Sequence, residues 1–111
     1  MKQPSEIFFA DEKTAKRFHQ LEEGTHEERF LYNLISKKID ELSQDAIAGK
    51  QIKKACIPKH YRLFDNLWKI DLNDRWRLIY TILTDDQGRI SLIIDWLDHK
   101  EYEKLLNYRV K

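Results

Sequence analysis

Two apolar runs, Leu67 to Leu72 and Trp76 to Leu83, flank the polar corner Asn73-Asp74, and this pairing constrains the fold more than any other feature of the chain. A strand sends successive side chains to opposite faces. Trp68, Ile70 and Leu72 then share one face while Lys69 and Asp71 take the other. In the second run Trp76, Leu78, Tyr80 and Ile82 share a face, leaving Arg75 and Arg77 together opposite. A third run, Ile90 to Trp96, follows the turn-forming stretch Asp85-Asp86-Gln87-Gly88, so the three runs predict an antiparallel meander with one apolar face.

The N-terminal half has a different period. Ile7 to Ala10 reads as a short strand, and Asp11 suits a helix N-cap. Ala15, Phe18 and Leu21 then recur at helical spacing until Gly24 stops the element. Thr25 and Glu28 form a capping-box signature, and the stripe of Phe30, Leu31, Leu34, Ile35, Ile39 and Leu42 predicts a second helix over 26–43. Residues 46–66 are interrupted by Gly49 and Pro58 and read as a basic connecting segment with a short strand or turn. Asp98, His99 and Lys100 lead into a terminal helix or helical turn over 101–106.

The predicted fold class is α+β, with a short N-terminal strand, a helical hairpin packed on a mainly antiparallel small sheet, and a short C-terminal helix. The opposite sheet face is left for function. On strict alternation it carries Lys69, Asp71, Arg75, Arg77 and Asp95, a register that a single β-bulge would break.

Composition narrows the function classes. A length of 111 residues with 41% hydrophobic and 35% charged side chains predicts a single domain, 1–111, with its own core. No apolar run approaches membrane-spanning length and the first residues lack the apolar core of a signal peptide, so cytoplasm is the expected location. Cys56 is the only cysteine, which excludes an internal disulfide and a thiolate metal cluster and suggests a small hydrophobe. His60 lies near it, but two ligands do not close a zinc site, and no metal or cofactor is expected. The formal charge is only +1, without the global imbalance of a nucleic-acid binder. Locally the distribution differs: Lys50, Lys53, Lys54, Lys59, His60 and Arg62 occur between Ala46 and Phe64 with no acidic residue. Such a block is either a solvated loop or a phosphate-holding surface.

The element order, with Trp-Lys-Ile-Asp-Leu at 68–72 and Trp-Arg-Leu-Ile-Tyr at 76–80, resembles the RelE/ParE toxin superfamily of toxin–antitoxin systems. The resemblance covers most of the chain and is strongest from Leu67 to about Leu106. One branch of that superfamily cleaves messenger RNA on the ribosome and the other poisons DNA gyrase, so the fold alone does not assign the activity. The patterns Lys69 to Leu72 and Arg77 to Tyr80 look more like the RNA-cleaving branch. The resemblance implies a ribosome-dependent endoribonuclease that inhibits translation, with the ribosome, mRNA and a cognate antitoxin as partners. By position Lys69 matches an active-site lysine and Arg77 a phosphate-contacting arginine, while His99 stands near a C-terminal arginine or histidine position. Tyr102 and Tyr108 are both candidates for a base-stacking tyrosine. Asp71 departs from the pattern, because members often carry a second lysine there.

Cleavage by attack of a 2′-hydroxyl on the adjacent phosphate needs a base, an acid and cations for the phosphoryl oxygens. Arg75 and Arg77 offer forked donors and Lys69 a point charge, with Lys53, Lys54, Lys59 and Arg62 as further RNA contacts. Histidine is the side chain whose unperturbed pKa lies near neutrality, so His99 suits the acid or base role. Each residue also has a structural reading. Arg77 suits a pair with Asp71 or Asp95, His99 a solvated helix start, and the two tyrosines plain packing. Trp68, Trp76 and Trp96 read as core, and His19 and His26 as hairpin residues. The expected activity is therefore RNA cleavage, with two alternatives: an antitoxin-binding module weakened in catalysis by Asp71, or a gyrase inhibitor.

Overall fold

Asp11 ends the first strand and begins the first helix, its carboxylate accepting the amide of Thr14 at 2.7 Å. Its carboxyl is held below the usual carboxylate range by those Thr14 hydrogen bonds. The computed structural model describes the backbone of residues 2–110 and the side chains of residues 2–105. Its elements are β1 (Glu6–Phe9), α1 (Glu12–Glu22), α2 (His26–Gln44), β2 (Lys50–Gln51), β3 (Trp68–Asp71), β4 (Trp76–Asp85), β5 (Gly88–Asp98) and α3 (His99–Val110). The predicted capping box starts α2, with Thr25 and Glu28 each accepting the other's backbone amide. The expected α+β architecture holds.

The sheet has five strands in the order β1-β5-β4-β3-β2, antiparallel throughout except for the parallel pair β1–β5. The α1–α2 hairpin covers one face. Phe18, Leu21, Leu31, Ile35 and Leu42 from the helices pack there with Ile70, Leu72, Leu78, Tyr80, Ile93 and Trp96, and Trp68 and Trp76 pad the margin. Trp96 is buried in this core and Trp68 and Trp76, partly buried, pack against it, all on the face that alternation required.

The second face is not left open. Ile52, Ile57, Leu67 and Ile79 form a smaller buried cluster, sealed by Cys56, Tyr61, Ile94, Leu97 and Tyr102. The connecting segment and α3 therefore cap the middle of the face that alternation reserves for function. Leu78, Ile79, Tyr80 and Thr81 are all buried, which is the signature of a strand covered on both sides. Asn66 fastens the segment to the sheet, its side chain accepting from the Ile82 amide at 2.8 Å and donating to the Ile82 carbonyl at 2.9 Å.

A bulge corrects the expected register. Ile79 pairs with Asp95 but Tyr80 pairs with Ile93, leaving Ile94 as the extra residue. Ile93 and Trp96 then face the hairpin core while Ile94 and Leu97 face the second cluster. Asp95, opposite Ile79, stays on the second face as alternation expects, but its partner lies outside the cationic row. Asp95 accepts from Arg17 of α1 at 3.3 Å, and Arg17 also lies over the Trp96 ring at 4.6 Å. No helix among the described residues is long and apolar enough to cross a membrane.

Candidate nucleic-acid interface

Strand pairing assembles the cationic cluster. Lys69 and Asp71 are two residues apart on β3 and so share a face, and the β3–β4 register sets Arg77 directly across from Asp71. Lys69 Nζ lies 2.8 Å and Arg77 Nε 2.9 Å from the same carboxylate oxygen, Asp71 Oδ1. The sequence brings these residues together because the polar corner Asn73-Asp74 closes the hairpin at this point. Asn73 Oδ1 accepts the amides of Arg75 and Trp76, an Asx-type turn.

Arg77 is held by backbone as well as by charge. Its Nη1 donates to the carbonyls of Asn73 at 2.9 Å and Trp76 at 3.2 Å, with Asp74 at 3.4 Å. Nε on Asp71 and Nη1 on the corner leave Nη2 without a hydrogen bond among the described residues. The side chains of Lys69 and Arg77 are 19% and 14% exposed, whereas that of Asp71 is 53% exposed. The cations are seated in the surface and the carboxylate stands at its rim.

Two further groups join them. Lys69 Nζ lies 5.8 Å from the centroid of the Tyr102 ring, within cation–π reach. Burial raises the Tyr102 phenol above its ordinary pKa; Asp71 adds to the rise and Arg77 opposes it. Sequence reasoning left Lys50 out of the site, yet β2 pairs with β3 so that Lys50 stands opposite Lys69. Like charges directly opposed on neighbouring strands are unfavourable, and a bound anion would relieve that conflict. The only sequence signal for Lys50 is its place in the acid-free block.

Other expected members fall elsewhere. Arg75 precedes β4, so strand alternation does not govern it. Its guanidinium lies 5.8 Å from the Trp76 ring centroid, and it lines a cavity with Leu21, Phe30 and Trp96 at the hairpin end. His99 opens α3, where Asp98 and Glu101 form a reciprocal capping box. Its amide donates to the Arg75 carbonyl at 2.6 Å, and its Nε2 lies 3.2 Å from Glu103 Oε1. The described contacts of His99 include none with Lys69, Asp71 or Arg77. Lys53, Lys54, Lys59 and Arg62 are exposed, and Lys59 lines a groove of about 760 Å³ with Tyr61, Leu97 and Lys104 beside α3. The side chain of Tyr108 lies outside the described residues.

No protein-family model, curated protein or solved structure matches the chain. Three cations, one carboxylate and a half-buried tyrosine form a net positive patch on a rigid sheet, suited to a phosphodiester.

Proposed function

We propose that this protein is the toxin of a toxin–antitoxin pair, an endoribonuclease of the RelE type that cleaves messenger RNA on the ribosome by 2′-hydroxyl attack. The observation that carries this reading is the seating of Lys69 and Arg77 on adjacent strands beside Tyr102, with Lys50 extending the row. Pre-positioned cations stabilise charge on phosphoryl oxygens without reorganising during reaction. Arg77 has one guanidinium nitrogen still to give, and the exposed lysines of 53–59 with Arg62 lie on the segment that borders the patch. Its partners are then the ribosome, mRNA and an antitoxin that covers this face, and its place of action is the cytoplasm.

Inducible expression with growth and transcript ends followed tests the proposal. Growth arrest with mapped cuts is expected from the native chain, and Arg77→Ala should lower cleavage about 10²- to 10³-fold, the usual cost of one charge-stabilising donor. Normal growth and intact transcripts despite accumulated protein would overturn it.

One observation favours a second reading. Asp71 occupies both cations at once, as expected of a relative that keeps the fold and the antitoxin contact but cleaves poorly. In that case Arg77→Ala leaves any cellular effect unchanged.

A further inference from the structure

We propose that Asp71 is the proton acceptor of the site, taking the proton of the attacking 2′-hydroxyl while Lys69 and Arg77 hold the phosphate. The inference rests on the RNA-cleaving reading above.

The geometry separates this role from simple neutralisation. An arginine neutralised by a carboxylate commonly binds it as a fork, with two nitrogens on two oxygens. Here Arg77 Nε lies 2.9 Å from Asp71 Oδ1, no forked pair of hydrogen bonds joins the two among the described residues, and Nη1 turns onto the corner carbonyls. Lys69 uses the same Oδ1 at 2.8 Å. Oδ2 accepts no hydrogen bond among the described residues, so the carboxylate is fixed through one oxygen and open through the other. It is also the most exposed member of the trio, at 53% against 19% and 14%. A general base for 2′-hydroxyl attack must stand within hydrogen-bond reach of a hydroxyl one bond removed from the bound phosphate. Asp71 is next to both phosphate-binding cations.

Among the described residues no nearer group takes that role. His99 is engaged with Glu103 at the start of α3, and the Tyr102 phenol, its pKa raised by burial, keeps its proton.

The step closes without another reactant. The 2′-O–H bond breaks, the proton passes to Asp71 Oδ2, and the oxygen's electron pair forms the bond to phosphorus. The phosphorus–5′-oxygen bond breaks, and the departing oxygen takes a proton from the Lys69 ammonium. The products are a 2′,3′-cyclic phosphate and a free 5′-hydroxyl. Proton exchange with solvent then deprotonates Asp71 Oδ2 and reprotonates the Lys69 amine, restoring the pair that Lys69 makes with Oδ1 at 2.8 Å.

The test is single-turnover cleavage of mRNA on programmed ribosomes by the native protein, Asp71→Asn and Asp71→Glu, with thermal unfolding as a check on folding. Asp71→Asn should cleave at least about 100-fold more slowly, within the range of a lost general base, while ribosome binding is kept or strengthened. Asp71→Glu keeps the carboxylate and should recover part of the rate. With an RNA carrying sulfur in place of the scissile 5′-oxygen, a leaving group that needs no acid, the Asp71→Asn defect should persist and a Lys69→Ala defect should shrink. Cleavage by Asp71→Asn at or above the native rate would overturn the inference and identify Asp71 as a neutralising partner. Absence of cleavage by the native protein would instead remove the RNA-cleaving reading and this role with it.

Discussion

Tyr80 illustrates how one side chain serves both the core and the site. It is fully buried between Trp68 and the hairpin, and its hydroxyl donates to the Ala46 carbonyl at 2.8 Å and accepts from the Gly49 amide at 3.2 Å. Removing the hydroxyl strands both backbone groups. Tyr80→Phe should cost about 1–3 kcal/mol in denaturant unfolding; an unchanged midpoint would contradict the bonds. Burial pushes the Tyr80 phenol far above its ordinary value of 10.0, with Asp45 and Glu41 adding to the rise and the Gly49 hydrogen bond opposing it. The unfolded chain then releases this proton first as pH rises, so the native state binds more protons than the unfolded state. Stability should fall above about pH 10, and less steeply in Tyr80→Phe. Neither contact was legible in the sequence, where Tyr80 is only one more apolar residue of a strand.

At the scale of elements, the two-residue strand β2 matters more than its length suggests. It sets Lys50 across from Lys69, and it reaches that position because Gly49 comes close to β3. A Cβ at Gly49 would collide with the Lys69 carbonyl and the Tyr80 hydroxyl. The first of these is strand backbone and cannot move without shifting Lys69. Gly49→Ala should lower stability by about 1–3 kcal/mol, read as a lower melting temperature, whereas an unaltered melt would mean that β2 can move aside. In the sequence Gly49 reads only as an interruption, since local signals do not report which backbone will lie beside it. The long elements were more legible. Both helices began at their predicted caps, because capping and a 3.6-residue period are local properties. α3 begins two residues earlier than predicted, at His99, because Asp98 and Glu101 cap it reciprocally.

Across the whole molecule the two sides of the sheet are unequal. The hairpin side holds the larger cluster, and the other holds a smaller one roofed by residues 52–67 and α3. That roof is built from short 3₁₀ turns with local backbone bonds, closed at its ends by the bond from the Ile52 amide to the Leu67 carbonyl and by the Asn66 clasp. Few buried contacts mean a low cost of local opening. Amides in 53–65 should therefore exchange faster than those of β4 and β5, and Ile57→Ala, which removes a nearly fully buried side chain, should accelerate them further. Uniform protection across the roof and the sheet would contradict this division. The roof carries the exposed cations, so its opening sets how firmly they are placed against the Lys69–Arg77 row.

The sequence by itself determined the element order, the α+β class and the side of the sheet on which the tryptophans pack, since these follow from caps, turn residues and hydrophobic period along the chain. It also put Lys69, Asp71 and Arg77 within reach of one another, because a two-residue spacing and a short corner fix their faces. Tertiary structure alone decided the rest. An extra residue at Ile94 broke the alternation of β5, Arg17 of α1 engaged Asp95, the folding-over of 52–67 covered the middle of the supposed open face, and pairing with β2 added Lys50. Which residues α3 and the corner lead away from the cations, His99 and Arg75 among them, was likewise decided in three dimensions, where register and close backbone approach depend on partners far apart in the chain.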